Sequence, residues 1–119
     1  MTDSTTPAKR PPRELESLIL HIVKKWIDGK LESKYQLRLD SVTDANRRDF
    51  EEKKSKIATE AFLAARSRPG REFARWFTAT LCSVNQRLTD DEFVALSKAL
   101  ETRADQVRSL TLLALSARG

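Results

Sequence analysis

The chain holds little of what most catalytic sites and most non-helical folds are built from. It has one cysteine, Cys82, and one histidine, His21, in 119 residues. A single cysteine excludes an internal disulfide framework and suits a reducing compartment. A lone histidine falls short of the three or four protein ligands a zinc-type site wants. Three glycines and four prolines leave too little turn chemistry for a sandwich or barrel of short strands. No apolar run approaches the ~20 residues that span a bilayer, and the polar N-terminus has no apolar signal-peptide core. No phosphate-cradling glycine loop or serine elbow is present. These absences predict a cytoplasmic protein that is not an enzyme, with no cofactor, metal, membrane or small-molecule substrate.

What is present is charge and helical period. Hydrophobic residues make up 39% and charged residues 33%, with a net charge of +5. The positive charge is placed rather than diffuse. Between Lys53 and Arg87 the basic residues are Lys53, Lys54, Lys56, Arg66, Arg68, Arg71, Arg75 and Arg87, against only Glu60 and Glu72. That local excess is larger than the charge of the whole chain, and a concentrated positive field on a small domain attracts phosphate.

Residues 1–12 read as a disordered leader, rich in Ser, Thr and Pro and closed by Pro11-Pro12. Residues 13–119 read as a single domain. Its first helix carries Leu15, Leu18, Ile19, Ile22, Val23, Trp26 and Ile27 on one face and extends into the mid-thirties, with Ser17, His21, Lys24 and Asp28 opposite. A polar turn over Asp40 to Thr43 offers Ser41 or Thr43 as N-cap for a second helix from about Asp44 to Arg66. The stripe of that helix, Phe50, Ile57, Ala58, Ala61, Phe62 and Ala65, is rich in alanine and allows close approach of a neighbour.

Pro69-Gly70 breaks the pattern. A third helix, Arg71 to Cys82, sets Phe73, Trp76, Phe77, Thr80 and Leu81 inward, with Arg71 and Arg75 one turn apart on the other side. Thr89-Asp90-Asp91-Glu92 spells a capping box, after which Phe93, Leu96 and Leu100 point inward. A last helix, Arg103 to Ala117, carries Val107, Leu110, Leu112, Leu113, Ala114 and Leu115 around nearly its whole circumference. Such a helix is central to the bundle, shared with a partner, or both. The fold class is all-α, a compact bundle of about five helices.

Candidate chemistry is sparse. Cys82 needs a base, and His21 is the sole candidate, so Cys82 reads as an inert thiol and His21 as a surface residue. Asp90, Asp91 and Glu92 are explained by capping and by the helix dipole without any ion. The alternating charges from Arg47 to Lys54 resemble a solvated face. Beyond Lys56 that interleaving stops. Arg66, Arg68, Arg71 and Arg75 bracket the Pro69-Gly70 turn, and the planar guanidinium suits phosphate oxygens. Lys53, Lys56, Arg66, Arg68, Arg71, Arg75 and Arg87 are the candidate nucleic-acid contacts, and Leu110, Leu112 and Leu113 the candidate subunit interface. Trp76 and Phe77 lie on the apolar face and read as core, not as a base-stacking platform. With no element arranged for base edges, backbone contact without sequence reading is expected.

The run Ala61 to Arg68, the run Glu72 to Val84 and the ending Val107 to Ala117 resemble the C-terminal helical part of the large subunit in some type I CRISPR effector complexes (Cascade). The similarity covers residues 15–117. In several such systems this part is also made as a separate small subunit, and a leader such as residues 1–12 is what an internal start in an interdomain linker would leave. The resemblance implies an all-helical, non-catalytic small subunit. Copies of it stack beside other Cascade subunits and line the path of crRNA-guided target DNA or the displaced strand, while guide pairing supplies specificity. Two other readings remain. One is a helical protein–protein adaptor with no nucleic-acid role, supported by the apolar girth of the last helix. The other is a small enzyme using Cys82 and His21.

Overall fold

A computed structural model describes residues 14–83 and 88–116. Among them are five α-helices and no strand: α1 Leu15–Tyr35, α2 Arg47–Arg66, α3 Gly70–Thr80, α4 Asp90–Thr102 and α5 Ala104–Ser116. The leader expected over residues 1–12, Arg87 and Ala117 fall outside the described residues.

Helix α1 forms because apolar residues recur at its helical spacing. Leu18, Ile19, Ile22, Val23, Ile27 and Leu31 are fully buried, and Trp26 keeps 6% exposure. The helix continues through Gly29 to Tyr35. It stops at Gln36, whose left-handed backbone (φ 55°) turns its N–H back to Glu32 O, while Leu37 N–H reaches Leu31 O. His21 is half-buried rather than on the surface. It follows the buried Leu18-Ile19 pair by two residues and abuts Ile22, at the margin of a buried face wider than a single stripe.

A 3-10 turn, Leu39–Ser41, follows. Ser41 does not cap α2: its hydroxyl donates to Arg38 O at 2.9 Å and closes the turn. Thr43 does not head the helix at Asp44 either. Thr43 N–H donates to Asn46 Oδ1 at 2.7 Å and Asn46 N–H to Thr43 Oγ1 at 3.3 Å, a reciprocal pair that holds a turn and delays α2 to Arg47. Phe50, Ile57, Ala58, Ala61 and Ala65 are buried as the stripe requires, and Phe62 is half-buried. The small alanines admit α5, which packs along α2.

Helix α3 begins at Gly70 (φ 52°) and ends at Thr80, tightening into a 3-10 turn, Leu81–Ser83, that contains Cys82. Phe73, Phe77 and Leu81 are fully buried, with the Phe73 and Phe77 rings 5.7 Å apart. Truncating either phenylalanine would cost about 3–5 kcal/mol. The capping box at α4 is formed: Glu92 N–H donates to Thr89 Oγ1 at 3.1 Å, and Thr89 N–H to Glu92 Oε1 at 3.0 Å. Glu92 is therefore buried and Phe93 is not, being 62% exposed. The inward face of α4 is Glu92, Leu96 and Ala99. Phe93, one residue on, is turned about 100° away from Glu92.

Only Arg103 separates α4 from α5. Helix α5 packs against α1, α2, α3 and α4, so it is the central helix. Val107, Thr111, Ala114 and Leu115 are its buried face, with the Thr111 hydroxyl donating to Val107 O at 2.7 Å. None of these helices is long and apolar enough to cross a membrane.

Candidate nucleic-acid interface

The short Pro69-Gly70 turn joins α2 to α3 and brings Arg68, before it, and Arg75, after it, to one groove. Pro69 supplies an extended backbone (φ −87°, ψ 158°) and accepts the amides of Glu72 and Phe73. Gly70 supplies the positive φ that other residues adopt at a cost. Because Phe73 and Phe77 turn inward, Arg71 and Arg75 are exposed on the outer side of α3.

Across from them lies the α4–α5 junction. Gly70, Arg71, Ala74 and Arg75 form one wall, and residues from Leu100 to Gln106 the other, of a groove of about 780 Å³. Arg103, exposed at the junction, brings a third guanidinium into this groove, and its Nη1 lies 3.4 Å from Gln106 Oε1. The first residues of two helices, Gly70-Arg71 of α3 and Ala104-Asp105-Gln106 of α5, line the same space. First-turn N–H groups lack intrahelical acceptors, and both dipoles put partial positive charge there, the combination that receives phosphate. Glu101 and Asp105 also line the groove, so its net field is modest and the attraction is local to each guanidinium.

A second groove, of about 600 Å³, adjoins the first through Arg75 and is lined by Ser67, Arg68, Glu72, Arg75, Trp76, Ala79 and Thr80. Arg68 is half-buried here, its Nη1 donating to Ala64 O at 2.7 Å. Part of its donor capacity therefore closes the end of α2. Arg66 is exposed on the last turn of α2, outside both grooves.

The other sequence candidates line neither of these two arginine grooves. Lys53 is 13 residues and Lys56 ten residues before Arg66 on α2, about 20 and 15 Å along the axis. Lys53 is engaged locally, 3.4 Å from Asp49 Oδ1 and 5.5 Å from the Tyr35 ring centroid. Lys56 is exposed. Leu110 and Leu112 are partly buried against the core, and Leu113 is 63% exposed.

Two arginines escape a reading of sequence windows. Arg103 joins Arg71 and Arg75 only through tertiary packing. Arg108 reaches from α5 to the end of α2, with Nη2 donating to Arg66 O, Nε donating to Arg68 O at 3.1 Å and Ala65 O 3.4 Å from the same Nε. It pins the turn that carries the arginines. Burial pushes the Cys82 thiol up to about 11, so it is protonated at neutral pH. Among the described residues no group of three or more His, Cys, Asp and Glu side chains is placed to hold a metal ion.

No curated protein matches the chain. One family model does match, that of the Type I-B CRISPR Cas8b C-terminal domain, over residues 1–118.

Proposed function

The chain belongs to the Type I-B CRISPR Cas8b C-terminal domain family and is a component of the type I-B effector complex, Cascade; from that premise we propose that it acts as a non-catalytic small subunit. In this reading several copies pack within the complex and grip the backbone of target or displaced DNA without reading sequence. The observation that carries it is the convergence of Arg71, Arg75 and Arg103 with two helix N-termini on one open groove. Phosphate recognition of this kind is indifferent to base identity, and guide pairing supplies specificity.

A second reading, a protein–protein adaptor, is favoured by exposed leucines on three helices, Leu20 at 45%, Leu63 at 56% and Leu113 at 63%. Co-expression with the genomic neighbours separates the two. The DNA-gripping reading expects the chain in several copies in an RNA-containing complex. A complex carrying Arg71→Ala and Arg75→Ala should assemble with the same RNA and hold target DNA more weakly. Target DNA held equally well by that variant complex favours the adaptor. Recovery of the chain alone, without RNA, contradicts the small-subunit role. Leu113→Asp in the same experiment asks whether the exposed leucine is needed for assembly.

A further inference from the structure

Trp76 is where sequence and structure part. Its position on the apolar face of α3 predicts core, yet it is half-buried, unlike its fully buried neighbours Phe73 and Phe77. Its ring lies 6.0 Å from Phe73 at a 40° tilt, which supports it from within. Its remaining surface lines two grooves at once. One is the Arg68–Arg75 groove described above. The other, of about 280 Å³, lies where α1, α2 and α3 meet and is lined by Trp26, Lys30, Lys34, Ile57, Glu60, Ala61, Ala64, Trp76 and Thr80. Trp76 and Thr80 belong to both, as Arg75 belongs to both the Arg68 groove and the large arginine groove.

The three grooves therefore adjoin in series. From one end the cations are Arg103, Arg71, Arg75 and Arg68. Trp76 follows, and beyond it come Lys30 and Lys34, both exposed. Lys30 Nζ lies 5.9 Å from the Trp26 ring centroid, and Lys34 Nζ 3.8 Å from Glu60 Oε1 with its side chain half exposed. Along α3 alone, Arg71 to Thr80 covers about 13 Å. Cations on both sides of a supported, partly open indole suit a chain with phosphates along its length and bases free to leave one another. That is a single strand, because in a duplex the bases are already stacked and paired.

Resting on the proposed DNA-gripping role, we infer that the grooves form one track for single-stranded nucleic acid. Trp76 stacks on a base, and Lys30 and Lys34 extend the phosphate contacts across to α1. The indole is sequence-tolerant, since every base has a π-face.

The test uses the purified full chain and three fluorescent probes of equal length, about 15 nucleotides. They are an oligothymidylate, a duplex, and an oligonucleotide whose central stretch has a sugar-phosphate backbone but no bases. Wild-type chain binds the oligothymidylate more tightly than the duplex and loses about 5- to 100-fold on the abasic probe. Trp76→Leu, checked for helicity by circular dichroism, binds intact and abasic probes alike. Tryptophan fluorescence is quenched by oligothymidylate in wild type and in Trp26→Phe, but not in Trp76→Leu. Salt-sensitive binding with no difference between intact and abasic probes overturns the Trp76 assignment and leaves the arginine grip standing. A preference for duplex overturns the single-strand track. Absence of binding to every probe removes both the track and the reading on which it rests.

Discussion

Arg108 shows how one side chain holds a candidate site together without belonging to it. Its guanidinium gathers carbonyl oxygens from the end of α2 and the following turn, where the helix presents partial negative charge. Hydrogen bonds from a charged donor contribute about 1.5–3 kcal/mol each, and partly buried carbonyls left unpaired add to the loss. Arg108→Ala should lower stability by roughly 2–4 kcal/mol, read as a lower urea midpoint at unchanged slope. An unchanged midpoint would show that water replaces the guanidinium at no cost. Arg108 was not legible in the sequence, because its partners lie 40 to 43 residues away. The Thr89–Glu92 capping box was legible because its partners are three residues apart. Phe93 misled for a related reason: the same box buries Glu92 and turns the next side chain outward.

At the scale of elements, α3 sorts its residues by period. Phe73, Phe77 and Leu81 go inward and Arg71 and Arg75 outward, as their spacing dictates. Trp76 is intermediate because it sits at the border of that face, and a border position cannot be assigned from spacing alone. Helix ends were less legible than helix faces. Thr43 and Asn46 trade hydrogen bonds that move the start of α2 to Arg47, and α3 gives way to a 3-10 turn before Cys82. The start of α3 depends on Gly70, where a Cβ would meet nothing within 4 Å, so the cost of a side chain there is backbone strain alone. A left-handed non-glycine residue costs about 1–2 kcal/mol, offset in part by about 0.4–1 kcal/mol from a less flexible unfolded chain. Gly70→Ala should therefore destabilise by about 1 kcal/mol, measured by chemical unfolding. A loss several-fold larger would mean the turn is held by contacts rather than by backbone conformation.

For the molecule as a whole, a central α5 brings distant arginines to one groove. It packs on the other four helices, and its first turn faces α3 across the groove holding Arg71, Arg75 and Arg103. The sequence predicted a basic face from charge density, and Arg71 and Arg75 belong to it. The fold separates Lys53 and Lys56 from that face along α2 and adds Arg103 from another junction, which no count within a window can anticipate. Most of the girth of α5 serves the bundle, leaving Leu113 as its outward-facing apolar side chain among the described residues. In the proposed role these arginines hold phosphate without reading sequence. The most direct measurement is the slope of log binding constant against log salt for wild-type chain and for the Arg71→Ala, Arg75→Ala, Arg103→Ala variant on two unrelated single strands. Wild type should bind both strands alike, and the variant should lose about 0.7 in slope for each phosphate contact removed, roughly 2 in all, on both. A variant whose slope equals that of wild type, or a wild type that distinguishes the two sequences, would contradict the account.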